Sequence, residues 1–261
     1  MPAKLWTICN RKGGVGKTTA TFNIASIVAS APNNKKVLVI DGDSQRNCTG
    51  RFIDENTAID KNLYHVFKNK LPFAESIYRT EYPNIYLIPA DYRLDTITES
   101  DFQHEVIPKL ILKNLIDTSG VRDVFDYIII DSPPSTGFIT LSSIFAADYT
   151  LIPTDVCEDS LKGIRYVKKI VAMMKKSNLN APADGGIILT RHEKANATEI
   201  MRLVSSMKEE FPSLYDFYIP SSVVVKDSNN HKKPLIESHP NHKATKAFHK
   251  LTHNIIEKGC V

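Results

Sequence analysis

The sequence lacks any long hydrophobic run. None of its segments approaches the roughly 18 consecutive apolar residues that a membrane-spanning helix needs. The first apolar stretch, Leu5 to Cys9, begins within five residues of Met1, so we expect no signal peptide. We therefore expect a cytoplasmic protein. Internal repeats and low-complexity segments are also missing, which excludes solenoid and disordered-tail architectures.

Cysteine is scarce, and neither the cysteines nor the histidines are spaced for metal binding. The four cysteines, Cys9, Cys48, Cys157 and Cys260, form no paired zinc motif, and we expect thiols in a reducing compartment. Histidines concentrate near the carboxyl terminus without a ligand pattern, at His231, His239, His242, His249 and His253. These patterns argue against a disulfide scaffold and a zinc enzyme.

A glycine-rich loop does stand out, between a strand pattern and a helical pattern. Residues 10 to 19 read Asn-Arg-Lys-Gly-Gly-Val-Gly-Lys-Thr-Thr. Its glycines let the backbone approach a ligand closely, and a helix beginning near Lys17 would direct its positive end at that ligand. The pattern predicts a phosphate-binding loop in which a lysine reaches the terminal phosphates and a hydroxyl holds magnesium. Patterns this short also arise by chance, so the rest of the chain must support it.

Two apolar strand patterns end in acids. Residues 37–40 precede Asp41 and Asp43, and residues 127–130 precede Asp131. Because the carboxyl ends of parallel strands meet at one edge of a sheet, these carboxylates should lie beside the glycine-rich loop. An ordinary buried strand also ends in an acidic turn at times, but three motifs in this order favour a nucleotide site.

These segments resemble the ParA/MinD family of ATPases. Lys12 and Lys17 both fit its deviant Walker A motif, KGGxGK[ST]. Asp41-Gly42-Asp43-Ser44-Gln45 is similar to its DxDPQ segment, with Ser44 where the family usually has proline. Asp131-Ser132-Pro133-Pro134 is similar to its Walker B region. Further similarity at residues 88–90, 137–153, 161–163 and 219–220 extends the resemblance over nearly the whole chain.

The resemblance implies ATP and Mg²⁺ as cofactors and assigns roles to individual residues. Three of them are implied to be catalytic: Lys17 at its own phosphates, Lys12 across a dimer interface at the partner's nucleotide, and Asp43 orienting the attacking water. Magnesium is implied to be held by Thr18, Asp41 and Asp131. Nucleotide contacts are implied at Gly13, Gly14, Val15, Gly16, Lys17, Thr18, Thr19 and Pro220. The absence of an NKxD guanine-reading motif agrees with adenine.

Alternating strand and helix patterns predict one α/β domain over residues 1–261, with a mostly parallel twisted sheet, helices on both faces and the ligand at the strand carboxyl ends. The resemblance implies the P-loop NTPase fold of the deviant Walker A, nitrogenase-iron-protein-like type. We place strands near residues 4–10, 36–41, 84–88, 126–131, 149–153, 185–190 and 215–219. We place helices near residues 17–30, 101–117, 158–176, 195–210 and 242–257. Cys48 and Cys157 do not fit the iron protein's cluster motifs, which disfavours a redox role.

The carboxyl-terminal segment is basic. From Ile219 to Val261 there are seven lysines, no arginine and three acids, so this segment carries the chain's whole formal charge of +4. Non-specific DNA binding needs positive charge more than a particular sequence. The candidate DNA-contacting residues are Lys226, Lys232, Lys233, Lys243, Lys246 and Lys250. A solvated lysine-rich helix surface has the same composition.

The resemblance implies a partition ATPase. Such a protein forms a homodimer with ATP, binds non-specific DNA on the nucleoid, and is released when a ParB-like centromere-binding or adaptor protein stimulates hydrolysis, which segregates a plasmid or chromosome. Because the first strand is predicted to begin so close to Met1, we expect no N-terminal helix-turn-helix for operator binding. Two alternatives remain: positioning of a protein cargo, and a MinD-like division-site regulator on the membrane. For the latter, Phe248, Leu251 and Ile255 form an apolar stripe, which we expect to pack on the core.

Overall fold

A computed structural model describes residues 1–30, 34–54, 56–190 and 197–259. Within these residues, eight strands form a single sheet in the order β3-β4-β2-β5-β1-β6-β7-β8. All neighbouring strands are parallel except β3 and β4, which pair antiparallel at the edge. The strands are β1 (Lys4–Ile8), β2 (Val37–Asp41), β3 (Tyr78–Arg79), β4 (Ile85–Ile88), β5 (Tyr127–Asp131), β6 (Tyr149–Thr154), β7 (Ala183–Thr190) and β8 (Leu214–Ile219).

Helices connect the strands. In chain order the α-helices of the described residues are α1 (Lys17–Ser30), α2 (Thr49–Phe52), α3 (Leu63–Phe67), α4 (Ile111–Thr118), α5 (Val121–Val124), α6 (Phe138–Ala146), α7 (Glu158–Lys176), α8 (Ala197–Glu210), α9 (Val223–Asn230), α10 (Leu235–Ser238) and α11 (Lys243–Gly259). Short 3₁₀ turns occupy Phe73–Ser76, Tyr92–Thr96, Glu99–Phe102 and Pro108–Leu110.

The central strands are buried on both faces because their side chains alternate between two cores. In β5, Ile129 belongs to the cluster that contains Ile24 and Val28 of α1. The neighbouring Ile128 and Ile130 belong to the opposite cluster, which contains Leu112 of α4. Since both faces must be apolar, such a strand reads as a continuous hydrophobic run rather than an alternating one. The predicted mostly parallel sheet with helices on both faces is confirmed.

The seven predicted strands are present, and the differences are local. Prediction missed β3, because two residues at an edge are too short to leave a periodic pattern. The helix predicted over residues 101–117 is wrong in its first half: 3₁₀ turns end at Phe102 and begin again at Pro108, and α4 starts at Ile111. Proline at 108 lacks a backbone N–H and cannot continue an α-helix that begins seven residues earlier. The start predicted for the helix over 195–210 lies outside the described residues.

Register brings the motif acids together. Asp41 is paired with Asp131 across β2 and β5, and Ile8 is paired with Asp131 across β1 and β5. The loop that follows β1 therefore leaves the sheet directly beside both acidic strand ends. This edge of the sheet carries the candidate site.

Candidate nucleotide-binding site

The glycine-rich loop has the backbone shape that its composition predicts. Gly14 and Gly16 have φ angles of 77° and 84°, in the left-handed region that glycine tolerates best. The carbonyl of Val15 is fixed by Thr190, whose Oγ1 donates to it at 2.7 Å. The loop then enters α1 at Lys17, so that the amino-terminal end of this helix faces the enclosed space.

Asn10 fixes the beginning of the loop. Its Nδ2 donates to Pro153 O at 2.9 Å, and its Oδ1 accepts from the backbone N–H of Lys12 at 3.1 Å. The side chain is fully buried and lies against Gly163 of α7. A Cβ at position 163 would overlap Asn10 Oδ1 and lie 2.9 Å from Asn10 Cγ. Gly163 thus leaves the space that the loop anchor occupies.

Replacing Gly163 with alanine should therefore disturb the loop from a distance. We expect Gly163→Ala to cost about 1–3 kcal/mol of stability through overpacking and to weaken ADP binding by displacing Asn10. Gly50→Ala is the matched control, because no atom of the described residues lies within 4 Å of a Cβ built at Gly50. Thermal melts and ADP titrations of the two variants check this. If Gly163→Ala and Gly50→Ala had the same Tm and the same affinity for ADP, the anchoring role of Asn10 would be contradicted.

Lys17 lies inside the loop rather than above it. Its side chain is 6% exposed, and its Nζ donates to the carbonyl of Lys12 at 3.0 Å. Burial lowers the pKa of Lys17, although the nearby Asp131 and Asp43 act in the opposite direction. The ammonium group is positioned where phosphate oxygens would follow the backbone of the loop.

Thr18 and the acid at the end of β5 form a second contact. Thr18 Oγ1 donates to Asp131 Oδ2 at 2.7 Å, and Thr21 Oγ1 lies 3.3 Å from Asp131 Oδ1. Asp131 is 1% exposed, and burial raises its pKa to about 6. The carboxylate therefore holds the threonine hydroxyl at the mouth of the loop.

Asp41 organises the segment that follows β2. Its Oδ2 accepts from both the N–H and the Oγ1 of Thr49 at 2.7 Å, and its Oδ1 accepts from the N–H of Asp43 at 3.1 Å. Burial and the charge of Asp131 raise the pKa of Asp41 to about 7. Because these donors engage both oxygens, Asp41 closes residues 42–49 into a fixed loop.

That loop presents Asp43 to the cavity. Asp43 Oδ1 accepts from the N–H of Gln45 at 3.1 Å, which orients the carboxylate. At the position where the family usually has proline, Ser44 is buried and donates its Oγ to Asp95 Oδ2 at 2.8 Å. A hydrogen bond to a distant residue thus restrains the loop at the position that the family fills with a rigid ring.

Lys12 points away from the cavity. Its Nζ forms an ion pair with Asp155 Oδ2 at 2.6 Å and donates to Cys157 Sγ at 3.0 Å. The hydrogen bond to Asp155 is the main reason that the pKa of Lys12 is raised. Burial alone would raise the pKa of Asp155, but hydrogen bonds, first of all from Lys12, lower it to about 2. In this single chain, Lys12, the first lysine of the motif, is held by the loop after β6.

The loop, the acids and the carboxyl-terminal helices enclose a cavity of about 310 Å³. One end is lined by the predicted residues Gly13, Gly14, Gly16, Lys17, Thr18, Thr19 and Asp43. The other end is lined by Ile219, Pro220, Ser221, Ser222 and Val225, where the predicted base contact Pro220 lies. Of the other predicted site residues, Asp41 and Asp131 lie behind the wall, and Val15 is buried under the loop. The volume and the lining residues suit a small ligand such as a nucleotide.

Among the wall residues that sequence reasoning did not assign to the site are Arg51 on α2 and Asn229 on α9. Arg51 Nη1 donates to Asn229 Oδ1 at 2.5 Å, and Asn229 Nδ2 donates to Thr19 Oγ1 at 3.2 Å. No motif marks either residue, and 178 positions separate them. The only signal in the sequence was that Arg51 lies six residues after Gln45, the last residue of the segment similar to DxDPQ.

The candidate DNA-contacting lysines lie on α9, the turn after it and α11. Lys226 is exposed and also lines the rim of the cavity. Lys233, Lys243 and Lys246 are exposed, whereas Lys232 is half-buried. Lys250 Nζ lies 3.6 Å from Asp216 and 4.4 Å from the centre of the Phe217 ring. Their contact with DNA stays a prediction.

The apolar stripe of α11 is part of the core. Phe248, Leu251 and Ile255 are at most 3% exposed, and they share a cluster with Trp6 and Ile24. This packing agrees with the expectation for the stripe. Among the described residues, no helix combines the length and the apolar character needed to cross a bilayer.

The oxygen donors at the mouth of the loop fit magnesium. No group of three or more His, Cys, Asp or Glu side chains in the described residues is arranged to hold a metal by itself. Mg²⁺ commonly keeps several waters and uses few protein ligands together with substrate phosphates. The Thr18 hydroxyl and the adjacent Asp131 carboxylate supply that kind of partial shell. Cys9, Cys48 and Cys157 are free thiols, and Cys260 lies outside the described residues.

Fold and site together define a P-loop nucleotide-binding protein. Residues 3–182 match a family model described as an AAA domain. The chromosome partitioning protein ParA of Caulobacter vibrioides is 27% identical over 259 residues, covering 98% of this chain and 95% of that protein. The sporulation initiation inhibitor protein Soj of Bacillus subtilis is 28% identical over 261 residues, covering 98% of this chain and 99% of Soj. The structure of apo McdA from Cyanothece is similar with a TM-score of 0.84 and 26% identity, over 97% of this chain and 99% of McdA. The chain belongs to the ParA/MinD family of P-loop ATPases.

Proposed function

We propose that this protein is a magnesium-dependent partition ATPase, whose ATP-bound homodimer holds DNA non-specifically and releases it after hydrolysis. The observation that carries the proposal is the first lysine of the loop, Lys12, which lies outside the cavity that Lys17 enters. A lysine that belongs to the loop but does not face its own nucleotide site is suited to serve another one. We further propose that residues 1–261 act as one ATPase domain.

The groups around the cavity support in-line attack of water on the terminal phosphate of ATP. Lys17 and the loop N–H groups bind the phosphate oxygens, and Asp43 accepts a hydrogen bond from the attacking water and orients it. Thr18 and Asp131 are the residues that would hold magnesium, and Asp41 adds its charge while fixing the Asp43 loop. When bound, the metal would neutralise negative charge on the phosphates.

Dimerisation would complete the site. In the proposed dimer two cavities face each other, and each Lys12 exchanges Asp155 for the partner's phosphates. Charge delivered from the other subunit makes hydrolysis depend on assembly, because preorganised positive charge stabilises the transition state. Release would then follow from stimulation by a ParB-like protein, the partner that the family resemblance implies. The cargo would be a plasmid or a chromosome.

The surface for DNA would be the lysine-bearing side formed by α9 and α11. Lys226 connects it to the nucleotide, since this residue lines the cavity rim. A change of nucleotide at that rim can therefore alter the placement of the basic helices. Burial of the α11 stripe in the core argues against the membrane-bound alternative, because the same side chains cannot also enter a bilayer.

Co-sedimentation with non-specific duplex DNA, in ATP and in ADP at two salt concentrations, tests this function. We expect binding with ATP only, and an affinity that falls steeply as salt rises. The double charge reversal Lys243→Glu/Lys246→Glu should weaken binding at least about tenfold and reduce the salt slope by about two.

The matched control is Lys175→Glu/Lys176→Glu. These two exposed lysines end α7, next to the amino ends of the strands and away from the cavity. The control changes the net charge equally and should leave binding nearly intact. Equal losses in both variants would mean that only total charge matters. Equal DNA binding with ATP and with ADP would contradict the proposed nucleotide-dependent switch.

A further inference from the structure

The cavity wall contains a cation that the roles assigned above do not use. Arg51 is half-buried, and among the described residues its guanidinium forms no ion pair with a carboxylate. Its hydrogen-bond partner there is the neutral amide of Asn229. Burial lowers the pKa of Arg51, even though Asp131 attracts its charge through space. A guanidinium has five N–H donors, and burying its charge without a directly bonded anion is unfavourable. A ligand anion would remove that penalty.

We propose that Arg51 binds the α-phosphate of the nucleotide and thereby sets the affinity for ATP and ADP alike. This inference rests on the proposed ATPase function and deepens it.

The position of Arg51 between the two ends of the cavity indicates which phosphate it contacts. Through Asn229, it is connected to Thr19, one residue beyond Thr18, at which the magnesium and terminal phosphates are expected. On the other side, Asn229 belongs to α9, which follows the base-end residues Ser221 and Ser222. Lys17 already serves the terminal phosphates. The phosphate nearest the base is therefore the one that Arg51 can reach.

The backbone of Arg51 is held rigidly, as a binding residue requires. On one side Thr49 donates twice to Asp41, and on the other the ring of Phe52 packs edge-on against Phe22 at 5.1 Å. The guanidinium itself lies 5.7 Å from the centre of the Phe22 ring. A cation on an aromatic face, fixed at both ends of a short helix, loses little freedom when it binds a phosphate.

A purely structural role is the competing explanation. In that case Arg51 would only tether α9 through Asn229, and the charge would not matter. Asn229→Ala removes this tether and leaves the charge. Arg51→Gln removes the charge, and Arg51→Lys keeps the charge while losing the planar fork. Arg79→Gln is a control, because Arg79 is exposed on edge strand β3.

Isothermal titration with ADP, AMP and ATP, at low and high KCl, separates the two roles. We expect Arg51→Gln to lower the affinity for ADP and ATP about ten- to a hundredfold, because charge-assisted hydrogen bonds to the phosphate are lost. Arg51→Lys should bind ADP and ATP with most of the wild-type affinity. Asn229→Ala should lose less nucleotide affinity than Arg51→Gln, and Arg79→Gln should bind like the wild type. The loss should shrink at high salt, where charges are screened. AMP, whose only phosphate is the α-phosphate, should lose affinity by a similar factor.

The other outcomes are also decisive. If wild-type protein bound ADP and Arg51→Gln bound it within twofold, only this inference would be overturned. If Asn229→Ala and Arg51→Gln lost equal affinity and Arg51→Lys recovered nothing, Arg51 would be a tether. Should Arg51→Gln fail to fold, the affinities of Arg51→Lys and Asn229→Ala still separate a phosphate contact from a tether. If the wild type bound neither ATP nor ADP, the proposed function itself would fail.

Discussion

Lys17→Ala should abolish nucleotide binding at micromolar concentrations. Lys17 is almost completely buried inside the phosphate loop, and among the described residues the only other lysine in the cavity wall is Lys226 at its rim. Truncating a buried partner of a charged ligand commonly costs several kcal/mol, so we expect affinity for ADP and ATP to fall about 10²- to 10³-fold. Titration with a fluorescent ADP analogue measures this directly.

A thermal melt distinguishes lost binding from lost folding. ADP should raise the Tm of the wild type by mass action and leave that of Lys17→Ala unchanged. Lys70→Ala, at an exposed loop position, is the control and should respond to ADP like the wild type. An ADP-dependent rise in the Tm of Lys17→Ala, equal to that of the wild type, would contradict the role of Lys17.

The strand ends were predictable because they combine two strong signals. Continuous apolar runs mark buried parallel strands, and the acid that ends each run marks the ligand edge. The register of β2 and β5 then places Asp41 and Asp131 side by side. Strand pattern alone thus locates the phosphate end of the cavity, whose chemistry was then inferred from the loop between β1 and α1.

What sequence could not predict depends on contacts between distant residues. Arg51 and Asn229 meet only after α2 and α9 have packed, and neither position has a periodic or motif signal. Residues 161–163 showed similarity to the family, but the contact between Gly163 and Asn10 requires α7 to lie against the phosphate loop. Such contacts are set by tertiary packing, which local patterns do not encode.

The contact between Lys12 and Asp155 also spans a long separation, 143 residues, and it changes how the motif acts. The resemblance implies a lysine that reaches across a dimer, whereas in the single chain the same ammonium group is neutralised by its own Asp155. The ion pair is only partly buried, so its net stabilisation is small and a phosphate can replace the carboxylate. Release of Lys12 from Asp155 would then accompany dimer formation.

Mixing two inactive variants should restore hydrolysis if Lys12 acts in the partner's site. Lys12→Ala lacks the charge delivered across the interface, and Asp43→Ala lacks the group that orients water, so each alone should lose at least about 10²-fold in turnover. In a mixed dimer, the Lys12→Ala subunit keeps its own Asp43 and receives Lys12 from the other subunit. With random pairing, half of the dimers contain one intact site of two, which predicts about one quarter of the wild-type rate.

The two variants should be mixed without ATP, so that subunits exchange before Asp43→Ala can trap closed dimers. Turnover is then followed with non-specific DNA present, across mixing ratios, with each variant diluted by buffer as the reference. A rate that peaks at the equal mixture requires two different subunits in one active dimer. A rate that stays at the level of the separate variants would contradict a role of Lys12 in the partner's site.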